Sequence, residues 1–363
     1  MKLALIHDHL IQDGGAEKVL RVMQDIWPKA PTYALFYNKK TFPDFKEKEI
    51  RTSFLQKLPF ALKKYQWYIG LMPAATEGHN LSDFDVVVSS SSAFSKGVIT
   101  RPGAKHICYC HTPTRYLWSD THSYVAELRA PKILKAFLPP ILSRLRLWDQ
   151  TVAQRVDLFV ANSKTVQERI KKYYGRDSIV IHPPVETEKF YISNEPKNYF
   201  LVGGRLVPYK RYDLIVEAFN RIGLPLKIFG TGPIEADLKK QAKKNIEFLG
   251  RVSDEERIKL YANCRAFLHP HEEDFGITAV EAMAAGRPVI ALKKGGATET
   301  VVEGVTGEFF EEQIWEELAD HILRFDEKKY NPETIKAHAE NFSVERFKQQ
   351  MKHLVERVTG QIS

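Results

Sequence analysis

Short apolar segments alternate with segments of helical periodicity twice along the chain, and this alternation constrains the fold more than any other feature. The apolar segments are continuous, and the stretches between them repeat apolar residues every three or four positions. Continuous apolar strands between helices are typical of parallel sheets whose two faces are both covered. The sequence therefore predicts an α/β fold with two Rossmann-like, doubly wound domains, in which ligands bind beyond the carboxyl ends of the strands.

The boundaries of these elements follow from the pattern. In the first series, strands are predicted at 2–9, 85–89, 105–110 and 157–161, and helices at 16–26 and 164–174. In the second, strands are predicted at 199–202, 226–229, 246–249, 266–269, 288–291 and 307–310, and helices at 213–221, 234–243, 254–262, 277–285 and 344–359. Polar residues from His182 to Asn198 predict a linker. We expect domains at 1–184 and 185–342 and a final segment at 343–363, because 363 residues exceed one core.

Charge is distributed unevenly along the chain. The net charge of +8 predicts an anionic partner. Between Glu49 and Glu77 there is no acidic residue, and basic residues alternate with aromatic and aliphatic ones. The pattern recurs between Glu127 and Asp149. Such segments are typical of contact with an anionic membrane surface, and also of a helix with a solvated basic face and a buried apolar face.

Cysteine content and hydropathy bear on the compartment. Three cysteines are too few for a disulfide framework and suit a reducing compartment. No apolar stretch reaches the roughly 18 residues that span a bilayer, and residues 1–8 predict a strand rather than a signal peptide. We therefore expect a cytoplasmic protein, which becomes peripheral on the inner face of the plasma membrane if the basic segments bind lipid.

Segment 271–291 carries the strongest chemical signal. It places Glu273 in a loop at a strand end and Glu281 on the helix that follows. The turn at Phe275-Gly276 leaves backbone N–H groups at the helix start facing a ligand, which suits a phosphate. Carboxylates beside a phosphate are better placed on hydroxyl groups, where they are strong acceptors. The two acidic neighbours of Glu273 leave open which carboxylate faces inward.

Cations and glycine turns end other strands of the same predicted sheet. Arg205 and Lys210 lie in the loop after its first strand, where two fixed cations can neutralise a diphosphate leaving group without Mg²⁺. Turns at 230–233 and 250–252 end two further strands. All of these segments are expected at one edge of the sheet.

Two classes of cofactor are not predicted. His269 and His271 suggest a metal, but no third ligand is apparent beside them. The loop at Gly14-Gly15 lacks the G-x-G-x-x-G pattern, and no acidic residue follows at the ribose-binding spacing, so NAD is not expected. We therefore predict neither a metal nor a cofactor.

The motifs together resemble those of retaining GT-B glycosyltransferases of family 4. They occur in the same order: the Arg205/Lys210 pair, 229–233, 248–252, the 273–281 block and 295–299. In the N-terminal half, segments 13–17 and 109–116 resemble the bacterial polysaccharide mannosyltransferase branch. The resemblance covers nearly the whole chain. It implies an acceptor-binding first domain, a donor-binding second domain and a final helix that returns to the first domain.

The resemblance also implies residue roles. Arg205 and Lys210 bind the donor diphosphate and stabilise it as it leaves, Glu273 holds hydroxyls of the transferred sugar, and His111 lines that sugar and stabilises the transition state. The implied donor contacts are Glu281 for the ribose, Arg251 and Val252 beside the nucleobase, the backbone of Phe275, Gly276 and Ile277 for sugar and phosphate, Gly230 and Thr231 at a strand end, and Gly14 and Gly15 from the opposite domain.

The leading interpretation is a metal-independent mannosyltransferase that uses GDP-mannose and a lipid-linked or polysaccharide acceptor. A nucleotide-sugar epimerase on the same fold is the alternative, and it predicts turnover without any acceptor. A basic nucleic-acid-binding protein is the third interpretation, but the sequence contains no recognisable nucleic-acid-binding module.

Overall fold

A computed structural model describes residues 1–119, 121 and 132–360. The chain divides into two compact units. Unit 1 comprises residues 1–182 together with the chain from Phe347 onward, and unit 2 comprises Pro183–Arg346. Each unit is built on a parallel sheet with helices, which confirms the predicted α/β class.

The sheet of unit 1 has seven strands. They are β1 (Leu3–His7), β2 (Thr32–Ala34), β3 (Ile50–Thr52), β4 (Val86–Ser91), β5 (Lys105–Cys110), β6 (Leu158–Ala161) and β7 (Ser178–Val180). Neighbouring strands are parallel in the order β3-β2-β1-β4-β5-β6-β7. Strands β1 and β4 lie inside the sheet and are buried along their whole length, which suits the apolar residues of β1 and of the first half of β4.

Helices of unit 1 connect these strands. They are α1 (Gly15–Ile26), α2 (Met72–Glu77), α3 (Lys132–Ala153) and α4 (Lys164–Tyr174). Ser163 caps α4, since its hydroxyl accepts a hydrogen bond from the N–H of Val166 at 3.1 Å. The described part of the second basic segment lies in α3, and its residues 128–131 lie outside the described residues.

The first basic segment is not a long amphipathic helix. It forms 3₁₀ turns at Phe54–Lys57 and Tyr65–Leu71, followed by the short α2. Pro59 and Gly70 lie within this stretch, and both residues disfavour a helix interior because proline lacks a backbone donor and glycine is flexible. The helical interpretation is therefore wrong for this segment.

Unit 2 repeats the architecture with six strands. They are β8 (Phe200–Gly203), β9 (Leu226–Phe229), β10 (Ile246–Gly250), β11 (Phe267–His269), β12 (Val289–Leu292) and β13 (Gly307–Phe310), in the order β10-β9-β8-β11-β12-β13. The helices are α5 (Tyr212–Ile222), α6 (Glu235–Gln241), α7 (Asp254–Asn263), α8 (Ile277–Ala284), α9 (Ala297–Thr300), α10 (Trp315–Arg324) and α11 (Pro332–Ala339).

The last helix, α12 (Val344–Val358), contributes to unit 1. Its buried residues are Phe347, Met351, Leu354 and Val355. The ring of Phe347 contacts that of Tyr109 edge-on, with centroids 5.6 Å apart. The helix is therefore held by its apolar face, the geometry that its helical periodicity predicts.

Several short elements were not predicted. Strands β2, β3 and β7 span three residues each, and the sequence pattern did not predict helices α10 and α11 either. Residues 183–198, predicted as a linker, group with unit 2, and Val185 and Phe190 are buried in its core. Within the described ranges, no helix combines the length and the apolar content that crossing a bilayer requires.

Candidate active site

Loops after β8 and β9 are joined through their backbones at the carboxyl edge of the unit 2 sheet. The N–H of Leu206 donates to the carbonyl of Thr231 at 3.0 Å. Gly230 has a φ of 106°, and a Cβ on it would lie 1.9 Å from the carbonyl oxygen of Gly204. Only glycine fits so close an approach. The predicted turn at Gly230 is thus fixed beside the loop that carries Arg205.

Arg205 and Lys210 lie in that loop but differ in their surroundings. Arg205 is exposed, and within the described ranges its guanidinium contacts no carboxylate. Lys210 is buried, and its Nζ lies 2.7 Å from Oε1 of Glu273. Arg205 is therefore open to an anion from solution, whereas Lys210 is paired with another predicted catalytic residue.

Glu273 is the acidic residue of 272–274 that pairs with Lys210. The same carboxylate oxygen lies 3.1 Å from Nε2 of His271. Burial by itself raises the pKa of Glu273, but the charge of Lys210 and the contact with His271 outweigh burial and hold that pKa well below its usual value. The carboxylate is ionised at neutral pH, and its second oxygen can accept a hydrogen bond from a hydroxyl group.

His269, His271 and Glu273 place their candidate ligand atoms within 4.8 Å of one another. The sequence predicts no third ligand beside the two histidines, and this prediction is wrong. The loop after β11 places the carboxylate of Glu273 close to the rings of both His269 and His271. These three residues could hold a divalent cation only if Lys210 left the carboxylate, since an ammonium 2.7 Å from the Glu273 oxygen would repel the ion.

A tight loop holds the start of α8. Gly276 has a φ of 90° and precedes the helix without a side-chain cap, so the first N–H groups of Ile277 and its neighbours point outward. Phe275 is buried, so its backbone is the part that can meet a ligand. The N–H of Gly296 donates to the carbonyl of Glu273 at 2.8 Å and fixes the loop.

Glu281 is buried on α8 and has charged and polar partners. Its Oε1 accepts a hydrogen bond from Arg257 at 2.8 Å, and its Oε2 accepts one from the hydroxyl of Tyr261 at 3.1 Å. Arg251 is exposed after β10, and the half-buried Val252 packs against the core. Glu281 is therefore a buried acceptor with fixed partners rather than a mobile surface residue.

The predicted residues of unit 1 lie around a buried histidine. Nδ1 of His7 lies 3.2 Å from Oγ of Ser90, which lies 2.8 Å from Nε2 of His111. Nε2 of His7 lies 3.3 Å from Oε1 of Glu17, in the first turn of α1. A Cβ on Gly14 would lie 3.1 Å from Oε2 of Glu17, so the glycine lets this carboxylate approach the backbone.

The predicted site residues form two groups. Gly14, Gly15 and His111 belong to unit 1, and the other predicted residues belong to unit 2. Sequence reasoning missed the partners of these groups, which are His7, Glu17, Ser90, Arg257 and Tyr261. Polar residues at the ends of the apolar β1 and β4 were a usable signal for His7 and Ser90, whereas the spacing of α7 gives none for Arg257.

Comparisons with known proteins agree with this architecture. The family described as Glycosyltransferase Family 4 matches residues 32–189, and that described as Glycosyl transferases group 1 matches residues 185–342. An uncharacterized glycosyltransferase of Methanocaldococcus jannaschii is 26% identical over 310 residues, which cover 84% of this chain and 83% of that protein. The O-antigen chain mannosyltransferase C of Escherichia coli is 26% identical, over 49% of this chain and 51% of its own length.

A solved structure shares the fold over nearly the full length. Anabaena Alr3699/HepE, in complex with UDP and glucose, superimposes with a TM-score of 0.73 at 19% identity, and the match covers 98% of this chain and 99% of that one. The two family matches overlap at residues 185–189 and together cover residues 32–342, which contain every strand of the two sheets except β1. This chain belongs to the group 1/family 4 glycosyltransferases and has their two-unit GT-B fold.

Proposed function

We propose that this glycosyltransferase transfers mannose from GDP-mannose to a lipid-linked or polysaccharide acceptor and retains the anomeric configuration. The observation that carries the donor site is an exposed Arg205 that has no carboxylate partner in the described part of the chain and lies in the loop whose Lys210 holds the Glu273 carboxylate. The similarity to an O-antigen chain mannosyltransferase supports mannose as the sugar. UDP-glucose is the competing donor, because UDP and glucose are the ligands of the similar Anabaena structure.

In this proposal the diphosphate binds between Arg205 and the start of α8. Arg205 and Lys210 offset the charge that develops on the leaving group, which replaces Mg²⁺. Glu273 accepts a sugar hydroxyl through its free oxygen, and the backbone at Phe275, Gly276 and Ile277 donates to sugar and phosphate.

The nucleoside end of the donor is assigned to neighbouring loops. Glu281 accepts a ribose hydroxyl, and Arg251 and Val252 lie beside the base. The pairing of Glu281 with Arg257 and Tyr261 supports this role, because the two hydrogen bonds hold the carboxylate in one orientation. Gly14, Gly15 and His111 of unit 1 are proposed to meet the transferred sugar.

The donor is identified by a thermal-shift screen of GDP, UDP and their sugars in the presence of a chelator. GDP-mannose should stabilise the protein most, and Arg205→Ala should abolish that stabilisation. Arg324→Ala removes an exposed arginine on α10 and serves as the control. Stabilisation by UDP-glucose alone would remove the mannose proposal, and activity that requires Mg²⁺ would remove metal independence. Turnover of donor without acceptor would favour the epimerase.

For the acceptor, we propose that unit 1 binds an anionic, lipid-linked molecule at a membrane surface. Phe60 and Trp67 are 67% and 65% exposed, although aromatic residues usually avoid water. Nζ of Lys64 lies 4.2 Å from the ring centroid of Trp67. Exposed aromatic rings beside lysines suit the interface of an anionic bilayer.

A cavity of about 830 Å³ next to this segment supports an anionic acceptor. Its lining includes five lysines and no carboxylate: Lys39, Lys40, Lys46, Lys48 and Lys63. Within the described ranges, none of these ammonium groups makes an ion pair. Because clustered, unpaired ammonium groups repel one another, phosphate groups of an acceptor would offset their charge.

The acceptor proposal is tested with charge reversals on opposite edges of the unit 1 sheet. Lys39→Glu/Lys63→Glu should reduce flotation with phosphatidylglycerol vesicles and transfer to a lipid diphosphate acceptor, while donor binding is unchanged. Lys29→Glu/Lys105→Glu makes the same change in net charge at exposed positions, one before β2 and one at the first residue of β5. Equal losses in both double variants would contradict a localised site, and binding of free pyrophosphate without vesicle binding would assign the cavity to soluble phosphate.

A further inference from the structure

A chain of hydrogen-bonding groups runs through unit 1 from the start of α1 to the end of β5. It consists of Glu17, His7, Ser90 and His111, with successive separations of 3.3, 3.2 and 2.8 Å. Both ring nitrogens of His7 are used, and Ser90 stands between two imidazoles. His7, Glu17 and Ser90 are buried, whereas His111 is half-buried. Solvent can therefore reach this chain most readily at its His111 end.

The outer nitrogen of His111 is the open end of the chain. Its Nδ1 has no hydrogen-bond partner among the described residues. The ring of Tyr109 contacts His111 edge-on, with centroids 5.2 Å apart, and burial holds the pKa of Tyr109 well above its usual value, so the phenol stays neutral. His111 follows β5 at the carboxyl edge of the sheet, where ligands bind in folds of this class.

The single hydroxyl proton of Ser90 makes the chain directional. When His7 is neutral and its Nε2–H faces Glu17, Ser90 donates to Nδ1 of His7 and accepts from Nε2–H of His111. Nδ1 of His111 is then a bare acceptor. When His7 carries a second proton, Ser90 accepts from His7 and donates to Nε2 of His111, whose Nδ1 is then a donor. The protonation of His7 thus decides what His111 offers to a ligand.

We propose that Glu17, His7 and Ser90 are positioning residues that set the protonation of His111 and take up a proton received at its Nδ1. An acceptor hydroxyl forms its bond to the anomeric carbon as the diphosphate leaves with the electrons of the broken bond, and it gives its proton to Nδ1 of His111. Nε2 of His111 then gives one proton to Ser90, and Ser90 gives one to Nδ1 of His7. One proton enters, and the positive charge rests on His7 beside Glu17. Only the source of the proton rests on the proposed function.

Electrostatics within unit 1 favours this direction. Burial, with a smaller contribution from the charge of His7, lowers the pKa of His111 to about 4, so a cation is disfavoured on His111 itself. Burial raises the pKa of Glu17, but His7 outweighs burial and keeps that pKa below its usual value, so Glu17 is ionised. The charge of Asp8 acts to raise the pKa of His111, and the charge of His9 acts to lower the pKa of Glu17. The carboxylate of Asp8 accepts hydrogen bonds from backbone N–H groups.

The test follows the imidazole ¹⁵N resonances of the full-length protein with pH, without substrate. In the wild type the tautomer of His111 should change as His7 titrates. Ser90→Ala should uncouple the two rings, because it removes the hydroxyl that joins them. Ser89→Ala is the matched control, since it removes a Ser–His contact of the same 2.8 Å length, to His106, on the same strand.

Identical His111 titrations in the wild type and Ser90→Ala would overturn the proposal, as would an equal change in Ser89→Ala. A second measurement uses sugar transfer. Ser90→Ala should lower kcat roughly 10²-fold and alter its pH profile with little change in KM, and Ser90→Thr should restore both. If no donor reacts, the proposed function fails while the NMR result still decides the relay.

Discussion

Both units contain a lysine–carboxylate pair that is largely removed from solvent, but the two carboxylates differ in their remaining partners. In unit 1, Nζ of Lys96 lies 2.5 Å from Oδ1 of Asp149, and both side chains are 1% exposed. Asp149 also accepts hydrogen bonds from Thr114, Trp118 and Tyr174 at 2.8 to 3.0 Å. Its acceptor positions are filled by protein, so this pair serves the fold.

The Lys210–Glu273 pair of unit 2 is incomplete by the same criterion. Its side chains are 10% and 19% exposed, and the neighbouring His269 has two ring nitrogens without partners in the described part of the chain. A buried polar group without a partner is costly unless a ligand supplies one. The number of filled acceptor positions thus separates a structural ion pair from a site poised for a ligand.

The largest expected effect is on the complete pair. Lys96→Met leaves the charge of Asp149 buried without its cation, so the free energy of unfolding should fall by about 3–5 kcal/mol at neutral pH. Denaturant unfolding measures this, with Lys105→Met at an exposed position as the control. A loss below about 1 kcal/mol would mean that the hydrogen bonds to Asp149, rather than the ion pair, hold this region.

The incomplete pair should respond in activity more than in stability. Lys210→Met removes a proposed diphosphate contact, so kcat should fall about 10²–10³-fold. The free energy of unfolding should fall less than in Lys96→Met, because Glu273 remains partly exposed to solvent and keeps its contact with His271. Lys227→Met, which breaks a surface pair with Glu247, is the control for losing a lysine. Equal stability losses in the Lys210 and Lys96 variants would break the distinction between the pairs.

The contrast between the pairs also marks what the sequence could predict. Alternating apolar and helical segments were enough to predict the two sheets, because each strand repeats a pattern over several residues. The three-residue strands β2, β3 and β7 were missed because so short a segment carries no periodicity.

Site residues were predictable only where they lie in contiguous motifs. Glu273 and Glu281 share one motif, but their partners Lys210 and Arg257 are distant in sequence. His7 meets Ser90 across 83 positions, because β1 and β4 are neighbours in the sheet. Such pairs depend on register and loop path, which a single sequence does not encode locally.

A third prediction sharpens the contrast through pH. His269 borders the incomplete pair, whereas Asp149 has no histidine among its hydrogen-bond partners in the described residues. Burial lowers the pKa of His269 from 6.5 to about 3, so between these values the unfolded chain binds a proton that the folded one does not. Stability therefore falls as pH drops through this window.

The contribution of His269 at pH 5 is about 2 kcal/mol relative to neutral pH. His269→Gln should reduce the loss of unfolding free energy between pH 7 and pH 5 by that amount. His353→Gln, at an exposed position on α12, is the control. An unchanged pH dependence in His269→Gln would mean that the ring is protonated in the folded protein.

The smallest effect is expected at Glu281, which resembles Asp149 in one respect and Glu273 in another. It is 4% exposed like a structural group, yet it is proposed to bind the ribose. Tyr261→Phe removes one hydrogen bond to its Oε2 and leaves Arg257 on its Oε1. The free energy of unfolding should fall by about 1.5 kcal/mol, and KM for the donor should rise because the carboxylate is less firmly oriented. Tyr199→Phe removes a buried hydroxyl bonded to the Leu260 carbonyl and should lower stability without affecting KM. If the two variants change KM equally, Glu281 acts only in the core, and the number of filled acceptor positions would not by itself identify a ligand site.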